Sequence, residues 1–210
     1  MVVDTADGTL VVPGVRSLLP YQPGRNIEEI ERELGISGIV MLASNENPRA
    51  PIASVNSAVT RMLPDVSRYP DGGGFHLKRA LADQLGVNPN QITLGNGSND
   101  VLELITRAFV QPGQGVIVAQ HSFAVYTLAA KSAGANLRVV PAIHWGHDLD
   151  GMAEVVDSET RIIFIANPNN PTGSFVEKLE IIFFSLYCLL KPLASITRRP
   201  LIFPESILAL

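Results

Sequence analysis

The sequence predicts an α/β protein built on a mostly parallel sheet with flanking helices, and three observations lead there. Short apolar, β-branched runs stand at 115–119 (GVIVA), 137–140 (LRVV) and 161–166 (RIIFIA). Helix-length segments with apolar residues on one face separate them. Gly, Pro and Asn punctuate the joints. Strands that alternate with helices of this length form parallel crossovers, because hairpin turns leave no room for a helix.

Taken in order, residues 1–20 are broken by Gly and Pro and read as an irregular arm. Over 26–34, Ile27, Ile30 and Leu34 fall on one helical face, with Asn26 placed to cap the helix and Gly35 just past its end. Residues 38–42 (GIVML) predict a short strand, which runs into the polar stretch 43–48 (ASNENP). A helix is predicted over 52–63 and is stopped by Pro64. Residues 68–74 (RYPDGGG) make a loop that no regular element tolerates. An amphipathic helix over 75–85 follows, with Leu77, Ala80, Leu81 and Leu85 on one side. Residues 91–94 (QITL) predict a strand, and 95–98 (GNGS) turn into a helix over 99–109. Beyond the strand at 115–119 come a helix over 123–133, the strand at 137–140, a short helix over 151–156 and a central strand at 161–166. The apolar run 181–190 (IIFFSLYCLL) is shorter than the roughly 18 residues a bilayer span needs, so it reads as a buried helix or strand rather than a membrane-associated tail.

Composition narrows the function classes. With 210 residues, 46% of them hydrophobic and only 17% charged, the chain can bury a core of one or two domains. A net charge of -4, with no basic cluster beyond Arg198 and Arg199, gives no footprint for nucleic acid. Cys188 is the only cysteine, which excludes a disulfide framework or a cysteine metal site. Asp4 and Asp7, with no apolar stretch beside them, argue against a signal or transit peptide, so a cytoplasmic protein is expected.

Three segments carry chemistry. Residues 94–100 (LGNGSND) join a strand to a helix start, where free N–H groups and the helix dipole favour an anion such as phosphate. A glycine-rich turn with no ligand explains the same residues, and neither a Walker loop nor a dinucleotide fingerprint is present. Phe123 follows the next strand and is placed to stack on a flat heteroaromatic ring, although Phe123 and Tyr126 also have the spacing of core residues. Residues 167–173 (NPNNPTG) set Asn side chains in a rigid turn after an apolar strand, at the sheet edge where α/β proteins bind ligands. A phosphate cradle, an aromatic and an amide-bearing turn in this order suit a phosphorylated pyridine, with Asn170 donating to its phenolic oxygen.

At this point the residues resemble histidinol-phosphate aminotransferases, members of the aspartate-aminotransferase superfamily (class I/II). The likeness runs from about residue 15 to 175 and includes 19–21 (LPY), 42–48 (LASNENP), 68–72 (RYPDG), 94–99 (LGNGSN), 123–126 (FAVY), 146–149 (GHDL) and 167–173. It implies the large domain of a pyridoxal-phosphate-dependent transferase of fold type I, and amino transfer between glutamate and imidazole-acetol phosphate in histidine biosynthesis. By the resemblance, Gly97, Ser98 and Asn99 hold the phosphate of pyridoxal 5'-phosphate, Phe123 stacks on its ring, and Asn170 bonds its phenolic oxygen. Tyr69 is expected to reach the cofactor phosphate of a partner subunit in a homodimer, and Tyr21 and Asn45 to lie near the substrate. The resemblance also implies a cis bond before Pro171.

The family then continues with an Asp that pairs with the pyridine nitrogen, a Lys that forms the Schiff base, and two anion-binding Arg residues. None of these is found in context: the lysines are Lys78, Lys131, Lys178 and Lys191. The expected division is an arm and helix over 1–40, a partial large domain over 41–175 and a divergent hydrophobic tail over 176–210. That tail reads as a replaced end (a frameshift, retained intervening sequence or premature stop) or as a divergent subdomain. Without the Lys and Asp, weak or no transaminase activity is expected. A non-catalytic binder of pyridoxal phosphate or another phospholigand, and an interaction partner of a longer sibling, stand as alternatives. Low solubility is expected where strand edges and apolar surface stay open.

Overall fold

A computed structural model describes residues 12–16, 18, 19, 24–42 and 45–193, with side chains through 188. In chain order the helices and strands are α1 (Pro13–Arg16), α2 (Ile27–Leu34), α3 (Ala53–Met62), α4 (Phe75–Leu85), α5 (Ser98–Phe109), β1 (Gly115–Ala119), α6 (Ala124–Ser132), β2 (Asn136–Val140), α7 (Leu149–Glu154), β3 (Thr160–Ile163) and α8 (Lys178–Leu193). The chain divides into two compact units, one formed by Pro20–Ala80 and the other by Met1–Leu19 with Leu81–Leu210.

In the Pro20–Ala80 unit, the Asn26 side chain accepts from Glu28 N at 2.8 Å and fills one of the N–H positions that a helix start leaves open. Glu31 reaches past the end of α2 and accepts from Gly38 N at 2.8 Å. The strand predicted at 38–42 is not formed. A ladder needs a neighbour's N–H and C=O groups, and among the described residues none pairs with this segment. The helix over 52–63 does not stop at Pro64 but tightens into a 3-10 turn, Leu63–Asp65. Proline is tolerated in a first helical turn, where its missing N–H breaks no bond. No residue of α3 is buried, and Val55, Val59 and Met62 share an open face.

The other unit carries the sheet, in the order β2-β1-β3. Both pairings are parallel. β1 is buried along its whole length, as expected of a middle strand covered on both faces, and its residues are accordingly apolar without alternation. Ile117 faces a cluster with Val140, Met152, Ala153, Val156, Phe184 and Cys188. Val116 and Val118 face the opposite cluster, with Val110, Ala130 and Phe164. The crossover through α6 steps one way from β1 and the crossover through α7 steps back across it. Right-handed connections therefore place the two helices on opposite faces.

A second predicted strand, at 91–94, is also not formed: Pro89–Gln91 is a 3-10 turn closed by an Asn88 capping box. Ile92 has extended backbone, but no ladder partner is present among the described residues. The arm contains the short helix α1, and the run 181–190 lies within α8. Phe184 and Cys188 of α8 are buried, whereas Leu179, Ile182, Phe183 and Leu186 on its other side are exposed. Among the described residues, no helix is long and apolar enough to cross a membrane.

Arg138 of β2 pairs with Asp157 and donates to the Val155 carbonyl at 2.6 Å, which fastens β2 to the turn that precedes β3. The hydrogen bond from Arg138 is the main cause that holds the Asp157 carboxyl below its ordinary value. A carboxyl depressed in the folded state stabilises fully above its unfolded pKa, and that contribution is lost as pH falls through the lower folded value. Asp157→Asn is therefore expected to be slightly less stable than the native chain at pH 7, with the gap closing below about pH 4 in urea titrations. The gap is small because Asp157 is half exposed and solvent screens the pair.

Candidate functional site

Parallel strands place their exits along one edge of the sheet, so the segments after β1, β2 and β3 meet there. α5 leads into β1 through residues 110–114 and packs on α6 and β3. It therefore runs against the strands and turns its N-terminus toward the same edge.

Gly97 sits immediately before α5 at φ 80° and ψ 176°. That backbone region belongs almost entirely to glycine. No side chain caps the helix, so the N–H groups of Ser98 and Asn99 are left for an outside acceptor. A Cβ on Gly97 would meet nothing within 4 Å, and Gly97 and Asn99 are exposed, so the start of α5 is open to solvent. Gly95 is needed for another reason: a Cβ there would come within 2.8 Å of Val101 Cγ2. The Asp100 carboxylate accepts from Asn96 N at 3.0 Å and braces the loop from inside the first helical turn. Helix α5 begins one residue earlier than predicted, which brings Ser98 into that turn.

Phe123 precedes α6 and is partly exposed. Its ring meets Tyr126 edge-on, with centroids 5.8 Å apart at 87°. Tyr126 in turn stacks on Phe164, 4.5 Å apart at 2°, and burial raises its phenol pKa. Tyr126 thus takes the core position, while Phe123 stays accessible at the strand exit.

The turn over 167–173 is built by two asparagines that the sequence reading did not single out. Asn167 donates to the Val176 carbonyl at 2.8 Å and accepts from Val176 N at 2.9 Å, a two-bond pairing that closes the loop. Asn169, only 4% exposed, donates through Nδ2 to the His121 carbonyl and to Thr172 Oγ1, both at 2.8 Å. Its backbone N–H donates to the Ser174 carbonyl at 2.7 Å, and Gly173 N–H returns a 2.7 Å bond to the Asn169 carbonyl. Asn170, between them and Pro171, is exposed, and none of these bonds uses its amide. The bond before Pro171 is cis as expected, and so is the one before Pro168. The available signal was the density of Asn in this turn; which Asn faces inward was not legible. Asn167→Ala removes both bonds to Val176 and is expected to lower unfolding free energy by about 1–2 kcal/mol. Asn170→Ala should change it by less than about 0.5 kcal/mol, both read from urea unfolding.

Gly97, Ser98, Asn99, Phe123 and Asn170 thus lie in one unit, on segments that open to one sheet edge. Tyr69 and Asn45 belong to the Pro20–Ala80 unit; Tyr69 is fully exposed and Asn45 has a left-handed φ of 54°. Tyr21 lies outside the described residues. Lys131 and Lys178 are exposed on α6 and α8, and Lys78 belongs to α4. The side chain of Lys191 is outside the described set.

The parallel sheet, the glycine-led helix start and the Asn-Pro turn at the strand exits agree with the sequence comparison: the chain belongs to the family of aminotransferases of class I and II, whose model it matches over residues 37–181. Within that family it is similar to histidinol-phosphate aminotransferases. It is 52% identical over 182 residues to histidinol-phosphate aminotransferase 2 of Methylococcus capsulatus, covering 84% of this chain and 49% of the relative. The corresponding protein of Haemophilus influenzae is 52% identical over 168 residues, 80% of this chain and 46% of its own. The crystal structure of histidinol-phosphate aminotransferase from Sinorhizobium meliloti in complex with pyridoxal-5'-phosphate matches with a TM-score of 0.74 and 28% identity, over 87% of this chain and 49% of that one. The chain spans about half the length of the curated relatives it matches. The fold is accordingly part of the large domain of a fold type I pyridoxal-phosphate-dependent transferase.

Proposed function

We propose that this chain binds pyridoxal 5'-phosphate and forms the phosphate- and ring-holding half of a histidinol-phosphate aminotransferase site, with weak or no transaminase activity by itself. The carrying observation is the uncapped start of α5 behind Gly97, open to solvent at the edge where the turn presents the unengaged amide of Asn170. The residues fit the cofactor. Ser98 and Asn99 offer two N–H donors and the positive end of a helix to a phosphate. Phe123 offers an aromatic face, and Asn170 a donor for the phenolic oxygen. When bound, the cofactor supplies the electron sink for chemistry at the substrate α-carbon, and these residues bind and orient it.

In the same reading, Tyr69 serves the phosphate of a partner subunit in a cytoplasmic homodimer, and Tyr21 and Asn45 approach a phosphorylated amino-acid or oxo-acid substrate. The covalent step needs a lysine. Among the described residues, Lys131 and Lys178 are exposed on α6 and α8, and Lys78 lies on α4 rather than on the segments that carry the named cofactor residues. The test is an absorbance titration with pyridoxal phosphate, then borohydride reduction and mapping of pyridoxyl-lysine by mass spectrometry. Saturable binding without a stoichiometric lysine label is the expected result. A single labelled lysine would identify a relocated Schiff-base residue and revive the enzyme reading, and absence of saturable binding would overturn the proposal.

A further inference from the structure

We infer that His147 is a positioning residue for the turn that carries Asn170; its functional consequence rests on the cofactor-binding reading above. His147 lies in the loop between β2 and α7, with Nε2 2.8 Å from the Ala166 carbonyl. A carbonyl can only accept, so Nε2 carries the proton and donates. Ala166 directly precedes Asn167, so this bond fixes the entry to the turn. Nδ1 is buried without a partner, which leaves the Nε2 bond as the polar contact that orients the ring.

The same loop also grips the far end of the turn. Ser174 Oγ donates to the Trp145 carbonyl at 3.2 Å, and a Cβ built on Gly146 would already touch the Ser174 side chain at 3.4 Å. His144 and Trp145 hold left-handed backbone, φ 49° and 65°, a costly conformation for residues other than glycine. Such a loop keeps its shape only where its contacts over-determine it. Asn169 supplies the third attachment, through the His121 carbonyl. Asn170 is the exposed member of a turn held at Ala166, Asn169 and Ser174, and His147 makes the Ala166 attachment.

The test compares the native chain with His147→Asn and His147→Gln. The Gln amide nitrogen reaches about as far as imidazole Nε2, whereas Asn falls short of it. Amide hydrogen exchange is followed at Asn169 and Gly173 of the turn and at Ile117 and Val118 of β1, alongside titration with pyridoxal phosphate. His147→Asn is expected to speed exchange at the two turn amides roughly five- to tenfold, with β1 unchanged, and to raise Kd for pyridoxal phosphate by about fivefold. His147→Gln is expected to recover most of both. Unaltered turn exchange in the Asn variant, an equal change in β1, or a Gln variant no better than Asn would each overturn the inference. If the native chain fails to bind pyridoxal phosphate, the cofactor reading falls, and turn exchange alone then decides the role of His147.

Discussion

Phe184→Ala is expected to lower the unfolding free energy of this chain by about 3 kcal/mol, the largest effect of any single change considered. Phe184 is 8% exposed and packs with Ile117, Val140, Met152, Ala153 and Val156, so the substitution leaves a cavity against the middle strand. Its neighbour supplies an internal control. Phe183 is 67% exposed on the opposite side of α8, and Phe183→Ala should change stability by less than about 0.5 kcal/mol. Any small effect of Phe183→Ala should be favourable, because alanine is the better helix former. Urea unfolding followed by circular dichroism distinguishes the two. Equal, small effects would mean that α8 does not cover the sheet.

Gly97→Ala is the second large effect, and it acts through the backbone. A Cβ would meet nothing within 4 Å, so steric overlap contributes nothing. The cost lies in φ 80° with ψ 176°, where an L-residue loses on the order of 1–3 kcal/mol. Relaxation of that strain would turn the peptides that lead into α5 and misdirect the N–H groups of Ser98 and Asn99. On the proposed reading, affinity for pyridoxal phosphate should fall more than about tenfold, since each 1.4 kcal/mol is a factor of ten. Ser98→Ala keeps the backbone and removes only the hydroxyl, so its loss should be smaller, about fivefold, with unfolding free energy nearly unchanged. Titration by absorbance, with denaturation run in parallel, tests both variants. Equal binding by the Gly97→Ala variant and the native chain would remove α5 as the phosphate site.

Much of this was legible from local signals. The existence of three strands and of the helices between them follows from apolar periodicity, and β1 coincides with the run 115–119 because a strand buried on both faces is apolar at every position. The strand predicted as central at 161–166 instead forms at Thr160–Ile163, beside β1 at the edge of the sheet among the described residues. Asn26 and Gly35 bracket α2 because capping is decided within a few residues. The glycine-led entry to α5 and the Asn-Pro turn were visible for the same reason, since each requires particular residue types at particular backbone angles.

Where a predicted element failed to form, the missing information was a partner. Residues 38–42 and 91–94 have strand-like composition, but a strand exists only when a neighbour supplies the other half of the ladder. Local sterics and hydrogen bonding within a few residues were enough to set the alternation of elements, the glycine at the start of α5 and the presence of an Asn-Pro turn after β3. Packing between distant segments was needed to turn Asn169 inward to a carbonyl 48 residues away, to bring His147 to Ala166, and to lay α8 over the sheet through Phe184. Those choices depend on which groups the fold brings within about 3 Å of one another, and no local pattern encodes that distance.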